Sequence, residues 1–163
     1  MKIIVTSGKI KKKVLVDNRF YNRLTKHKWY YDRRYVVAAI NGRNVLMHRM
    51  ILEMSGESMK GLVTDHINHD TLDNRLENLR SCTQRQNCMN RFSHKGSSSV
   101  YKGVCKRINH DSPGVRWHAQ IIVDGIRKHL GYYDTEVEAA EEYNTAALHH
   151  FGEFSCLNKM RIV

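Results

Sequence analysis

The stretch from Asp65 to Asn87 contains the residue types that could do chemistry. Asp65 and His66 are adjacent, Asn78 follows His66 by twelve residues, and Asn87 follows Asn78 by nine. Carboxylate and carboxamide oxygens can ligate a hard divalent cation, and an imidazole can act as a general base. Together they form the minimum set of groups for metal-assisted hydrolysis of a phosphodiester. The elements around the stretch decide whether these groups can meet.

The composition indicates a folded protein with a polyanionic partner. At 163 residues the chain suits one ordinary domain or two small ones. Its 27 Lys and Arg outnumber its 16 Asp and Glu, which gives a net charge of +11. Such an excess favours nucleic acid as the partner, although a merely soluble basic protein is the alternative reading of the charge alone.

No secretory or membrane-spanning segment is expected, because the N terminus has only three consecutive apolar residues, at 3–5, before polar residues resume. The expected location is the cytoplasm, without a membrane partner. No two cysteines form a C-x-x-C pair, so free thiols are expected rather than a structural zinc site. The cysteines are Cys82, Cys88, Cys105 and Cys156.

Short strands and helices are predicted before the key stretch. Asn41-Gly42 suits a type I′ turn and indicates a hairpin, and Gly56 is expected to close a helix. His48, at a strand-to-helix junction, is interpreted as a structural residue. The predicted strands are residues 3–5, 14–16, 35–40 and 43–47, with another that begins at residues 29–31. A short helix capped by Asp17 or Asn18, with Phe20 and Leu24 on one face, and a helix over residues 48–54 are also predicted.

A strand over residues 62–64 is predicted to deliver Asp65 and His66 into a polar loop. Residues 81–91 are expected to form a polar helix that carries Asn87. The order strand, loop, helix would bring these three side chains together if the helix packs across the strand. His69 is interpreted as a loop residue.

The polar segment 92–99, rich in Ser, is predicted as a linker between two domains. Beyond it the pattern predicts a three-stranded antiparallel sheet covered by one helix. Asp124-Gly125 is a hairpin signal, and Thr135 with Glu138 is a capping-box signature at the start of the helix. The predicted strands are residues 100–106, 116–123 and 126–132, with a loop at Pro113-Gly114, and the helix runs to residue 150 with Gly152 as its stop.

One face of this sheet is left for water or a ligand, because the helix covers the other. A small sheet fits a major groove of about 12 Å width, where Arg, Lys and Gln side chains reach base edges. Given the net charge, DNA contact is favoured over a merely solvated face. The candidate contact residues are Lys102, Arg107, Arg116, His118, Gln120, Arg127 and His129.

Two sets of sequence blocks resemble known families. DHINHDTLDNRLENLR, which begins at Asp65, followed by Gln86-Asn87, resembles the HNH endonucleases of the phage- and intron-encoded homing type. YKGV, WHAQI, LGYYDT, EAAEEYNTAA and a closing G-x-x-x-x-LN resemble the plant APETALA or ethylene-response-factor type of DNA-binding domain, which also occurs fused to HNH homing nucleases. Together the resemblances cover roughly residues 45–160.

The first resemblance implies a ββα-metal (His-Me finger) nuclease domain over residues 1–91. It makes His66 the general base, and Asn78 the residue that holds the loop so that His66 stays oriented. Asp65 and Asn87 would ligate one divalent ion, and an Asn at the last position favours Mg²⁺ or Mn²⁺ over zinc. The residue that clamps the phosphate stays open among Arg75, Arg80 and Arg85.

The second resemblance implies that the sheet of residues 100–160 binds double-stranded DNA. Cys105 and Ile122 stand where the plant domains usually carry Arg, so the plant target sequence is not carried over. The family's contact positions fall at or near Lys102, Arg107, Arg116, Gln120, Arg127 and His129.

The sequence is therefore interpreted as an α+β, metal-dependent homing endonuclease that acts in a bacterial or phage-infected cell. One active site per chain, as a monomer or weak dimer, implies a nick, or a double-strand break through two binding events or a dimer. The alternatives are a non-catalytic DNA-binding regulator on an HNH scaffold and an RNA-directed or structural nucleic-acid protein.

Overall fold

The computed structural model describes residues 1–93, 96–108 and 115–160 of a mixed α+β chain, which confirms the predicted class. The chain folds as two compact units, Met1–Asn87 and Cys88–Val163. The assignment of residues 1–91 and 100–160 to a nuclease and a DNA-binding domain stays a prediction. His94 and Lys95 of the expected linker, and the Pro113-Gly114 loop, lie outside the described residues.

The first unit contains a five-stranded sheet of order β2-β1-β3-β4-β5, in which only β1 and β3 run parallel. The turn between β4 and β5 has Asn41 at φ 50° and Gly42 at φ 74°, as a type I′ turn requires. The elements are β1 Lys2–Ser7, β2 Ile10–Leu15, α1 Asn18–Leu24, β3 Tyr30–Asp32, β4 Tyr35–Ile40, β5 Arg43–Leu46 and α2 Met47–Met54.

The core of this unit lies between the sheet and its two helices. Alternate residues of β1 and β2 point inward, and Val5 and Val14 are fully buried there. Leu24 of α1 and Ile51 of α2 meet them in one apolar cluster. Removing such side chains from water is the main stabilising contribution, and it fixes α2, which begins next to the key stretch.

The key stretch starts on a separate two-stranded hairpin, β6 (Val63–His66) and β7 (Leu79–Cys82). The register pairs Asp65 with Arg80. β7 is absent from the sequence-based prediction, and the helix expected over residues 81–91 is the shorter α3, Gln84–Met89. Four residues are too few for strand alternation to stand out from an anchored loop. The observed order is therefore strand, loop, strand, helix.

The second unit contains a three-stranded antiparallel sheet of order β10-β9-β8 and one long helix. Asp124 and Gly125 both have positive φ in the β9–β10 turn. Thr135 caps the helix in a reciprocal capping box with Glu138, as the sequence predicts. The elements are β8 Val104–Ile108, β9 Val115–Val123, β10 Ile126–Tyr133 and α4 Glu136–Phe151.

The two faces of this sheet follow the alternation along β9. Ala119 and Ile121 point toward α4 and pack on Ala140 and Tyr143. The opposite face, called here the outer face, is formed by Cys105 and Arg107 of β8, Arg116, His118, Gln120 and Ile122 of β9, and Arg127, His129 and Tyr132 of β10.

β8 begins at Val104 rather than at the predicted residue 100, because the chain turns at Gly103 (φ 75°) before it pairs with β9. Tyr101 is buried in the core beside α4. None of the four cysteines forms a disulfide. Within the described ranges, no helix is long and apolar enough to cross a membrane.

A substitution at Gly103 tests how closely α4 packs on this sheet. A Cβ at this position would overlap the Tyr143 ring and the Gln120 carbonyl. Gly103→Ala is therefore expected to lower the free energy of unfolding by about 2 kcal/mol or more relative to Gly125→Ala. Gly125 is the matched control, since it also has a positive φ (79°) but has no atom within 4 Å of the added Cβ. Urea titration of both variants measures the difference, and equal values would contradict the close approach.

Candidate active site

Asp65 and His66 lie at the end of β6 and are almost fully enclosed, with exposed fractions of 4% and 6%. The loop that follows turns back at once, because the His69 N–H donates to the His66 carbonyl at 2.9 Å. The Ile67 N–H donates to the Asn78 carbonyl at 2.9 Å. The strand end is thus held on both sides by backbone hydrogen bonds, which fixes where the two side chains project.

Asn74 fixes the tautomer of His66. Its Nδ2 donates to the Thr71 carbonyl at 3.2 Å, so its Oδ1 must be the atom that faces His66 Nε2 at 3.3 Å. A carboxamide oxygen only accepts, so His66 Nε2 carries the proton and Nδ1 carries the lone pair. Asn74 is 1% exposed and is absent from the sequence-based site. Its only signal was its position within the DNRLENLR block.

Asn78 joins the two ends of the loop. Its Nδ2 donates to the Asp73 carbonyl at 2.7 Å, and its Oδ1 accepts from the Asn68 N–H at 2.9 Å. These are the bonds to backbone groups that the resemblance implied for Asn78. Since Asn74 lies inside the same loop, the Asn78 bonds also set the position of the carboxamide that orients His66.

Two arginines that were candidates for clamping a phosphate are engaged with carboxylates. Arg80 donates to Asp65 Oδ2 from Nη2 at 2.6 Å and from Nε at 2.9 Å. Arg75 forms two parallel bonds of 2.8 Å with Asp73 and also pairs with Glu77. Bidentate pairs of this kind are the stronger charge-assisted bonds, so either arginine would have to leave a carboxylate before it could bind DNA.

Three rings, Tyr35 of β4, His48 of α2 and His66, form a cluster that we call the ring cluster. The His48 and His66 rings meet edge to face, with centroids 5.1 Å apart. Tyr35 is 5.0 Å from His48 and stacks parallel to His66 at 6.3 Å. The sequence reading of His48 as a structural residue did not place it here, because a contact between α2 and β6 depends on tertiary packing.

Burial controls the protonation of the two histidines. It lowers the pKa of His48 to about 3, with further lowering by the charges of His66 and Arg49. It also lowers the pKa of His66, although the Asn74 hydrogen bond and the neighbouring aspartates act in the opposite direction. Both imidazoles are therefore neutral at cellular pH, which is the form in which a histidine can accept a proton.

Asn87 lies on α3, and its backbone neighbours Cys82 of β7. The Asn87 backbone lies against the Cys82 thiol. Burial is the main cause that raises the pKa of this thiol, and the charge of Asp65 raises it further. No group of three His, Cys, Asp or Glu side chains suited to a metal occurs in the described part of the chain. The donors implied by the resemblance are instead carboxylate and carboxamide oxygens, which suit a hard cation.

Six of the seven predicted DNA-contact residues lie on the outer face of the second unit, and Lys102 does not. Lys102 Nζ donates to the Met89 carbonyl at 2.6 Å and lies 6.0 Å from the Tyr143 ring, on the side of α4. Burial lowers its pKa. The placement of Lys102 on the DNA-facing side is therefore wrong, because the residue precedes β8 and strand alternation does not govern it.

His118 lies on the outer face but is only 7% exposed. Its Nε2 is 2.5 Å from His129 Nδ1, and its Nδ1 is 3.3 Å from the Cys105 sulfur. Tyr132 packs on both imidazoles. Both nitrogens of His118 are engaged within the sheet, so it supports the face rather than presenting a donor.

A strand-end imidazole with a fixed tautomer, beside a buried carboxylate, is an arrangement that general-base hydrolysis could use. Residues 45–89 match the HNH endonuclease family. An uncharacterized HNH endonuclease of Acanthamoeba polyphaga mimivirus is 32% identical over 139 residues, which cover 84% of this chain and 70% of that protein. No solved structure matches the chain. The chain belongs to the HNH endonuclease family and is a nuclease, an enzyme class whose members generally need a divalent metal ion.

The buried neutral state of His48 predicts an acid-dependent loss of stability. Its pKa of about 3 in the folded protein is below the ordinary histidine value of 6.5, so the unfolded chain binds more protons between these values. Stability should therefore fall as the pH decreases from about 6.5 toward 3. Urea titrations at several pH values measure this slope, which His48→Phe should flatten by on the order of 1 kcal/mol per pH unit.

The control for that measurement is His27→Phe, since His27 is only partly buried and lies edge-on to Trp29. This variant should keep the parental slope. A His48→Phe slope equal to the parental one would contradict the burial of a neutral imidazole.

Proposed function

We propose that this protein is a metal-dependent HNH endonuclease of the homing type, which cuts double-stranded DNA at sites selected by its second unit. The observation that carries the cleavage role is the buried His66, held as the Nε2–H tautomer by Asn74 next to the Asp65 carboxylate. The order β6, β7, α3 supports the ββα-metal reading of this region.

His66 is the general base in this proposal. The lone pair of its Nδ1 accepts a proton from the water that attacks the phosphorus, and the Asn74 hydrogen bond to Nε2 stabilises the imidazolium that forms. Its lowered pKa keeps the imidazole neutral at cellular pH. Asn78 acts on His66 indirectly, because it holds the loop that carries Asn74.

Asp65 and Asn87 are the proposed ligands of the divalent ion. A buried carboxylate and a carboxamide are hard oxygen donors, so the residues fit Mg²⁺ or Mn²⁺ better than zinc. The bound ion would neutralise charge on the scissile phosphate and on the leaving oxygen. Arg80 holds the carboxylate of Asp65 in place.

Plasmid nicking tests the cleavage role of His66. In the presence of Mg²⁺ or Mn²⁺ the parent should convert supercoiled plasmid to open circles, or to linear DNA if two molecules act on one site. His66→Ala should reduce the rate by roughly 10²- to 10⁴-fold, which is the usual contribution of a general base.

The matched control is His69→Asn, which removes a second imidazole of the same loop and keeps a residue that tolerates the positive φ of 65°. It should cut at close to the parental rate. If His66→Ala cuts as well as the parent, His66 is not the base.

The outer face of the second unit is the proposed DNA-binding surface, in the manner of the APETALA or ethylene-response-factor type of domain. It carries three guanidinium groups, from Arg107, Arg116 and Arg127, with Gln120 among them. The mimivirus match supports a shared second unit, because 139 residues exceed the 87 of the first unit and must extend beyond it. A monomer or weak dimer in the cytoplasm, with one active site per chain, completes the proposal.

Arg127 and its neighbour Lys128 provide a test of this surface. Arg127 pairs with Ile122 on the outer face, whereas Lys128 pairs with Ile121 on the α4 side, and both side chains are exposed. In a His66→Ala background, Arg127→Ala should weaken DNA binding and reduce the slope of log affinity against log salt by about one. Lys128→Ala should leave both nearly unchanged. Equal losses from the two variants would contradict binding by the outer face.

A further inference from the structure

His48 lies beside His66 without making a hydrogen bond in the described part of the chain. It lies on the first turn of α2, is 5% exposed, and touches His66 and Tyr35 only through ring contacts. Neither of its ring nitrogens has a hydrogen-bond partner among the described residues. By contrast, the Asn74 and Asn78 carboxamides each use both of their polar atoms.

A fully buried polar group without a partner costs roughly 1–3 kcal/mol, so such groups in a folded protein need a reason. One such group lies in the same region as His48. Thr64 Oγ1 is fully buried without a hydrogen bond in the described structure, and Thr64 lies two residues before His66 on β6, so its side chain leaves the strand on the same side. A buried hydroxyl without a partner and an imidazole without a hydrogen bond, both beside the proposed base, indicate that a polar ligand completes this region.

The charged donors nearby are already engaged. Arg49, next to His48, donates to the carbonyls of Met59 and Leu62 at 2.8 Å and 3.2 Å and pairs with Glu53. Arg75 and Arg80 are held by Asp73 and Asp65. A neutral imidazole always carries one N–H donor, and phosphate oxygens only accept. The His48 N–H is therefore the donor next to His66 that can serve a phosphate without breaking an ion pair.

We propose that His48 is a second catalytic histidine, whose N–H donates a hydrogen bond to a non-bridging oxygen of the scissile phosphate. The inference rests on the proposed role of His66 and adds a contact to the substrate. His48 moves no proton in this role. Its pKa of about 3 keeps the ring neutral, so it contributes a fixed donor in a low-dielectric site, where a preorganised donor stabilises developing charge most effectively.

Single-turnover cleavage by His48→Phe and His48→Gln tests the donor. Phe retains a ring for the contacts with Tyr35 and His66 but has no N–H, and Gln supplies an N–H of similar reach. We expect His48→Phe to lower the cleavage rate constant by about 10²-fold, the usual effect of removing one such donor. His48→Gln should recover at least about a tenth of the parental rate, and the DNA affinity of both variants should stay close to parental.

A phosphorothioate substrate separates contact with the phosphate from a purely structural role. Replacing the non-bridging oxygen that His48 contacts by sulfur should slow the parent, because sulfur is a poor acceptor. The same replacement should slow His48→Phe much less. Equal thio effects in the two proteins, or a folded His48→Phe that cuts at the parental rate, would overturn the proposal.

The proposal that His66 is the base and the proposal that His48 is a donor can be contradicted separately. If His66→Ala is inactive while His48→Phe keeps the parental rate and thio effect, only the His48 inference is wrong. If His66→Ala cuts normally, the assignment of the base is wrong regardless of His48. Circular dichroism and the urea midpoint of each variant at pH 7.5, where folded His48 is neutral, establish that the compared proteins are folded.

Discussion

The geometry of the cleavage centre depends on one side chain, the carboxamide of Asn78, which closes the loop between β6 and β7. It satisfies a carbonyl and an N–H of the same loop, so the loop needs no regular secondary structure to satisfy those backbone groups. Asn74 is carried by that loop and presents its oxygen to His66. Which nitrogen of His66 carries the proton is therefore a consequence of loop geometry.

The electrostatics of the site follow from how its carboxylates are neutralised. Asp65 is paired with Arg80 and Asp73 with Arg75, so two of the three aspartates that act on His66 do so with much of their charge compensated. The effect of burial on the pKa of His66 outweighs the effect of these negative charges, so the pKa is lowered. The result is a site in which two imidazoles stay neutral next to acidic groups. A free carboxylate in place of either ion pair would favour the imidazolium, which cannot act as a base.

How much the sequence could predict depends on whether a residue's role is set by its neighbours along the chain. The Asp65-His66 pair, the Asn41-Gly42 and Asp124-Gly125 turns and the Thr135 cap follow from local patterns. The outer face of the second unit also follows, because alternation along β9 assigns every residue of that strand to a face. The roles proposed for the site residues themselves stay predictions.

What the sequence could not predict depends on tertiary packing. β7 has only four residues, and its pairing with β6 is decided by the loop that Asn78 closes. His48 meets His66 because α2 is fixed by Ile51 and Leu52 in a distant core. Lys102 lies before β8 begins, so the rule that places Arg107 and Arg116 does not apply to it. For His48 the deciding contact joins two elements, α2 and β6, that are not neighbours along the chain.

Position on a face and availability to a ligand are separate properties, as the second unit illustrates. His118 lies at the centre of the outer face, yet both of its nitrogens are engaged by Cys105 and His129, and burial together with the charges of His129, Arg107 and Arg127 lowers its pKa. The centre of the outer face therefore consists of packed rings, which determine the shape of that surface. The charge that can meet phosphate lies at the two ends, with Arg107 opposite Arg116 at one end and Arg127 at the other. In the proposed binding mode these separated cations would contact phosphates on both sides of a groove and position the sheet, because phosphate contacts fix a protein's register and orientation on a duplex.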